Sequence, residues 1–335
     1  MTADTRPGLN PQRLVRLMSE AIDRCRLDLA ERTVLTEAAN GAYVVTPVLA
    51  AMAGANVRAL AGSTAYATSG ELRRVTTGLA QLAGVAGRVN FIQAKSPEHI
   101  GAADIVTNSG QVRPIDSKMI AEMKPSAVVA LMYESWEHRG DDLDLAACRA
   151  RSILVAGTNE RHPSVDVFSF LGPMSVKQLH DAGIAVYGSR VVLLCDNEFG
   201  PFIERGLSNA GAEVVRAHKL TADILPAHCD AVLVALQPGA GHVFTAADAR
   251  LLAQEAPGTI VVEYWGDTDR DALAAARVPV WPARPARAGH MAVLPSAVGP
   301  EPIIRLQAGG LKVGEVLARG LDRASPAELD LVQVL

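Results

Sequence analysis

The sequence predicts an α/β fold of two parallel-sheet domains joined by a linking helix, with a C-terminal helix returning to the first domain. Two observations carry this. Short β-branched and aliphatic runs alternate with amphipathic stretches along most of the chain, an alternation that requires parallel sheets covered by helices. The rhythm breaks near Gly172-Pro173 and restarts at Arg190, and 335 residues suffice for two cores. The expected boundaries are 1–164 for a substrate-type domain, 165–183 for the linking helix, 184–298 for the second domain and 299–335 for the returning segment.

Residues 1–9 read as a loose tail. From Pro11 to Glu31, apolar Leu14, Met18, Ile22, Cys25 and Leu29 stand among charges as on an amphipathic helix. Strands follow at 33–38, 57–61, 89–93, 104–107, 127–132 and 153–156, with helices at 46–53, 69–82, 116–123 and 143–150 between them. Residues 165–182 read as a helix broken or kinked at Gly172-Pro173. The second series has strands at 190–194, 212–215, 231–236 and 259–263 and a helix at 246–255. Three prolines make 278–287 an extended loop. A final helix spans 302–317, weakened by about 1 kcal/mol for each of Gly309 and Gly310.

Composition narrows the function classes. With 49% hydrophobic and 20% charged residues the chain is globular. No apolar run approaches the roughly 18 residues of a membrane span, and no signal-peptide core occupies the N-terminal thirty. Four dispersed cysteines form no C-x-x-C pair, which suits a cytoplasmic protein and points to no metal site. A net charge of −4 without a basic run excludes nucleic acid as the expected partner. A small-molecule substrate is expected, with a homodimer as a possible assembly.

Ser189 to Val215 organises the second half. Arg190–Leu194 is a buried strand, Pro201 opens a helix where its missing N–H costs nothing, and Gly211 ends that helix before the next strand. This is a Rossmann-like βαβ unit, whose turn ordinarily reads G-x-G-x-x-G around a dinucleotide pyrophosphate. Here it reads Cys195-Asp196-Asn197-Glu198-Phe199-Gly200, and only the third glycine remains. Asp196 and Glu198 place carboxylates beside a helix N-terminus, where they repel a pyrophosphate. The next strand ends Arg216-Ala-His-Lys219, a basic end that suits the 2′-phosphate of NADP over NAD. Asp196, Asn197, Gly200, Arg216 and Lys219 are therefore the cofactor candidates, with NAD(P) as the cofactor and NADP favoured.

Several passages resemble the D-isomer-specific 2-hydroxyacid dehydrogenases and, more distantly, the adenosylhomocysteinases. Residues 142–156 look like the approach to the last strand of their catalytic domain, and 258–273 like their late Rossmann strand and the turn after it. Leu294-Pro-Ser-Ala-Val-Gly299 resembles the segment bearing their catalytic histidine. The pattern covers most of residues 100–320. It implies an NAD(P)-dependent oxidoreductase or a descendant that binds the nucleotide atypically. The motifs depart where chemistry is done. The family's arginine falls near Tyr264 or Trp265, and its histidine falls at Ser296, with His290 six residues earlier. Neither aromatic can clamp a carboxylate bidentately, and a serine is no general acid near neutral pH.

Other candidates follow strand ends. Tyr133-Glu-Ser-Trp-Glu-His-Arg139 and Glu263-Tyr-Trp-Gly-Asp267 combine aromatics with carboxylates at carboxyl ends of parallel strands. Glu134, Trp136, Glu263 and Trp265 either wall a ligand site in an interdomain cleft or pack the domains. Asn40, Asn108 and Arg113 either offer a polar pocket or serve turns. In Gly157–Pro163, Glu160 and His162 form a candidate acid–base pair, with capping of the linking helix as the alternative. Catalytic candidates are thus Glu160, His162, Glu134 and His290. Ser296 joins the substrate set. The expected function is an enzyme acting on a small polar metabolite, and the alternative is a non-catalytic protein, either a ligand binder or a partner in a larger assembly.

Overall fold

The structure, a computed structural model, describes residues 6–65 and 67–335. The part of the expected tail at residues 1–5 lies outside them, while Pro7–Leu9 form a 3-10 turn. The chain divides into two compact units, Met1–Val167 with Gly299–Leu335, and Phe168–Val298.

In the first unit α1 (Pro11–Cys25) is capped by Asn10, whose side chain accepts from the Arg13 N–H, and buries Leu14, Met18, Ala21 and Cys25. Strands β1 (Thr33–Glu37), β2 (Asn56–Leu60), β3 (Val89–Ile92), β4 (Ile105–Thr107), β5 (Val128–Ala130) and β6 (Leu154–Thr158) are parallel neighbours in the order 3-2-1-4-5-6. That order makes this unit, rather than the second, the one with the larger dinucleotide-type sheet. Helices α2 (Val45–Met52), α3 (Ser69–Leu82), α4 (Pro97–Ala102), α5 (Ser117–Glu122) and α6 (Leu145–Ala150) connect the strands. One apolar core lies on each face of the sheet.

In the second unit α7 (Leu171–Asp181) precedes β7 (Arg190–Leu194), α8 (Gly200–Asn209), β8 (Glu213–Ala217), β9 (Ala231–Val234), α9 (Ala246–Glu255), β10 (Ile260–Glu263), α10 (Arg270–Ala275) and β11 (Val280–Trp281). The sheet is parallel, in the order β11-β10-β9-β7-β8. The crevice between the carboxyl ends of β7 and β9 is therefore its switch point. Two expectations are corrected here. Gly172-Pro173 neither breaks nor kinks a helix, because α7 begins at Leu171 and Pro173 lies in its first turn, where no N–H is needed. The proline-rich loop contains the short strand β11, paired with β10 through Val261 and Val262.

The α7–α8 contact explains Gly172. A Cβ there would lie 2.7 Å from the Gly206 Cα, and a Cβ at Gly206 would overlap the Gly172 backbone. Backbone cannot swing aside as a side chain does. Gly206→Val is expected to cost about 1–3 kcal/mol through overpacking. A urea midpoint unchanged from wild type would show that the helices do not cross this closely.

The chain returns to the first unit as α11 (Glu301–Arg319), α12 (Pro326–Leu331) and β12 (Val332–Val334), which pairs antiparallel with β6. Gly309, Gly310 and Gly314 face the sheet. A Cβ at Gly309 would come 2.6 Å from Val165 Cγ2, and one at Gly314 2.6 Å from Ile105 Cγ2. The propensity cost of these glycines is offset by a close helix–sheet approach. Among the described residues no helix is long and apolar enough to cross a membrane.

Candidate functional site

Ligands in open parallel sheets bind beyond the strands' carboxyl ends, at the switch point. In the first unit that point lies between β1 and β4. Glu37, the last residue of β1, accepts hydrogen bonds from the backbone N–H groups of Gly110 (3.1 Å) and Gln111 (2.7 Å). Burial raises its pKa, and those two bonds oppose the rise. Glu37 is absent from the sequence candidates, although its place at the end of the first strand was a usable signal. Asn108 is buried and its side-chain carbonyl accepts from the Met132 N–H at 2.7 Å, tying the ends of β4 and β5. Arg113 pairs with Asp142 at 2.7 Å. Asn40 precedes the short turn leading into α2, and its side chain does not cap it.

Next along the same edge, β5 and β6 bring three carboxylates together. Glu134 is buried; Oε2 accepts from the Trp136 indole N–H (2.7 Å) and Oε1 from the Glu160 backbone N–H (3.3 Å). Glu160 is buried as well, and its carboxyl is pushed well above the ordinary range by burial, then by Glu137 and Glu134. Glu137 is half-buried. Its carboxyl is pushed up to about 7 by burial, with Arg139 opposing and Glu134 adding to the rise. Two like charges this close in low dielectric cannot both ionise cheaply, so a proton is retained. The Trp136 side chain remains 40% exposed beside them. No three His, Cys, Asp or Glu side chains among the described residues are gathered so as to hold a metal ion.

Glu160 and His162 do not form the expected pair. His162 Nδ1 accepts from the Ser164 N–H (3.2 Å) and meets its hydroxyl at 2.8 Å. The two residues lie on one turn, but the His162 ring is bonded to Ser164, while the charged neighbours of the Glu160 carboxyl are Glu137 and Glu134. Glu137, noticed in the sequence only as a neighbour of Glu134, belongs to the same carboxylate group.

In the second unit the switch point is crossed by side chains. Asn197 donates through Nδ2 to the Ala235 carbonyl at 2.8 Å, and Asp196 Oδ1 accepts from the Gln237 N–H at 2.8 Å. Asn197 Oδ1 takes the Phe199 N–H (3.0 Å), and its carbonyl takes the Gly200 N–H (3.2 Å). The helix α8 starts only at Gly200. Phe199 is buried between Phe168 and Trp265. Arg216 ion-pairs with Glu204 at 3.1 Å and lies over Gly200, whereas Lys219 is exposed. A pyrophosphate needs free N–H donors at a helix N-terminus. Here two of them are spent internally and two carboxylates stand nearby, so the turn as built does not fit that group.

The carboxyl end of β10 is packed. Glu263 is fully buried and accepts from the Thr268 hydroxyl and from Arg270, whose Nε lies at 3.1 Å. Trp265 stacks on Phe199 with centroids 5.2 Å apart. Tyr264 is fully buried, and its hydroxyl meets Ser175 and donates to the Leu171 carbonyl (3.0 Å). The Gly289–Met291 stretch runs along this end, with the Gly266 N–H bonded to the His290 carbonyl and His290 Nδ1 donating to the Ala288 carbonyl. Ser296 lies in a 3-10 turn, Pro295–Val298, packed on α7. The structure thus groups Glu134, Trp136 and Glu160 in the first unit, and Glu263 and Trp265 within the second.

These two units have the fold of the two-domain dehydrogenases that include the D-isomer-specific 2-hydroxyacid enzymes. Among solved structures the chain is similar to the A component of dipicolinate synthase from Bacillus halodurans, at 12% identity, with 89% of this chain and 100% of that one covered and a TM-score of 0.56. It is also similar to a D-lactate dehydrogenase from Treponema pallidum (12% identity, 86% and 97% covered, TM-score 0.53). The pyruvate reductase of Chlamydomonas reinhardtii gives 14% identity, 88% and 98% covered and a TM-score of 0.53. At such identities the likeness shows the fold alone. No protein-family model and no curated protein matches the sequence.

Proposed function

We propose that the chain is an enzyme that moves protons on a small polar metabolite, a descendant of the dehydrogenase frame in which carboxylates of the first unit do the acid–base work. The observation that carries this is the Glu134–Glu137–Glu160 group at the carboxyl ends of β5 and β6, where burial pushes the Glu137 carboxyl up to about 7. A general acid or base works best with a pKa near the operating pH. Glu134 is held in place by the Trp136 indole and the Glu160 N–H. Burial and its two carboxylate neighbours favour the protonated form of Glu160, and Glu137 is the group placed to give a proton up or take one. Trp136 offers an exposed ring against which a substrate can lie.

The frame implies a nicotinamide dinucleotide, which when bound would supply hydride chemistry. The β7 turn does not fit its pyrophosphate, and no step is assigned to it. Any preference for NADP would rest on Lys219, since Arg216 is already paired with Glu204. A second reading, a ligand-binding or partner protein without chemistry, is favoured by one observation. The position that the family resemblance gives to arginine is core here, with Tyr264 fully buried.

The test is a carbon-NMR titration of the Glu137 carboxyl, repeated with a panel of small hydroxy and keto acids. A midpoint near 7 that falls in Glu134→Gln and moves on adding a ligand is expected. An ordinary carboxylate midpoint removes the acid–base reading. A midpoint near 7 that no ligand moves, with no turnover, favours the protein without chemistry.

A further inference from the structure

We infer that Asp196 and Asn197 occupy the phosphate cradle of the second unit from within, so that this turn takes no dinucleotide pyrophosphate. In a working cradle the helix starts early, a glycine lets backbone approach the phosphate, and outward N–H groups bind it. Each feature is altered here by one of these residues. Asn197 stands at the position of the second glycine. Its side-chain carbonyl holds the Phe199 N–H at 3.0 Å and its backbone carbonyl holds the Gly200 N–H at 3.2 Å. The amide of the same side chain reaches the Ala235 carbonyl at 2.8 Å, beyond the end of β9. Asp196 adds a second bridge across the same crevice, accepting from the Gln237 N–H at 2.8 Å, and is joined to Asn197 Nδ2 at 3.3 Å. The two oxygens of Asn197 thus take N–H groups at the start of α8 that would otherwise face a phosphate, and Asp196 adds a carboxylate beside them.

The surroundings agree. The cysteine at the first-glycine position is buried, and its Sγ lies 3.4 Å from Asn197 Oδ1. Phe199, whose N–H Asn197 takes, is itself held by its stack on Trp265. The cation nearest the turn, Arg216, covers Gly200 but is paired with Glu204. This inference concerns the second unit alone and does not depend on the carboxylate group of the first.

The experiment measures NADH and NADPH binding by nicotinamide fluorescence and thermal shift on the full chain. Three proteins are compared: wild type, Asp196→Gly/Asn197→Gly, and Gly200→Val, which crowds the turn. Wild type is expected to show no saturable binding, and the double glycine variant to bind at least about tenfold tighter. Circular dichroism establishes that each variant is folded. If the double variant unfolds, Asn197→Gly alone takes its place. Saturable wild-type binding that Gly200→Val weakens overturns the inference, as does a folded glycine variant with no gain. Wild-type binding that Gly200→Val leaves unchanged places the nucleotide away from this turn and supports it.

Discussion

Arg270→Met is expected to cost about 3–5 kcal/mol of unfolding free energy, because it strands a buried charge. Glu263 ends β10 with no exposed surface, and its carboxylate is held by the Thr268 hydroxyl and by two nitrogens of Arg270. The same guanidinium donates to the carbonyls of Pro282 (2.6 Å) and Ala283 (3.2 Å), so it also pins the strand-end of β11. With methionine there, the carboxylate keeps one hydroxyl donor in a dry site. The double variant Glu263→Leu/Arg270→Met removes both charges and should recover most of the loss, since replacing a buried pair by apolar side chains is often near neutral. Urea unfolding of the two single variants and the double completes the cycle. A cost below about 1 kcal/mol for Arg270→Met would mean that Glu263 is not confined by its arginine, and would restore it as a candidate ligand group.

The same pair shows what the sequence could and could not say. Thr259–Glu263 read as a strand, and the strand forms from Ile260, because a buried parallel strand is a continuous β-branched run. That Glu263 faces Arg270, seven residues on, depends on how the chain folds back after the strand, which no local pattern encodes. Glu160 teaches this more sharply. Its sequence neighbour His162 suggested a pair, yet Glu134 and Glu137, more than twenty residues away, are its charged neighbours. They meet because β5 and β6 are adjacent in the sheet, and strand order is a property of the whole fold. Arg216 with Glu204 is a third case, joining β8 to the helix before it. The short helices α4 and α12 hold too few turns to reveal a periodic pattern, whereas the equally short β4 and β5 are legible as continuous apolar runs. The altered turn after β7 was legible as altered. Only the folded chain shows that its polar residues bond across the crevice instead of facing outward.

The stability of the first unit should fall as pH rises from about 4.5 to 7, and the Glu134–Glu137–Glu160 group should account for most of that fall. The sign follows from where the protons are held. Burial and Glu134 raise the Glu137 carboxyl from 4.5 to about 7 in the folded chain, despite Arg139. Across that window the native state keeps a proton that the unfolded state has released, so unfolding becomes easier at each step upward. At about 1.4 kcal/mol for each tenfold gain in proton affinity, Glu137 alone contributes roughly 3 kcal/mol that is present below the unfolded value and lost above 7. Glu160, raised in the same direction by burial, adds to the loss. Glu137→Gln should flatten most of the slope up to 7, and Glu160→Gln should flatten part of what remains. Glu134→Gln leaves the Trp136 indole an acceptor while removing the carboxylate that raises both neighbours, so Glu137 and Glu160 should both shift back toward the ordinary range. Urea unfolding at several pH values from 4.5 to 9 measures all four proteins. A Glu137→Gln variant with the wild-type slope would remove the shifted carboxyl, and with it the proton on which the proposed acid–base chemistry rests.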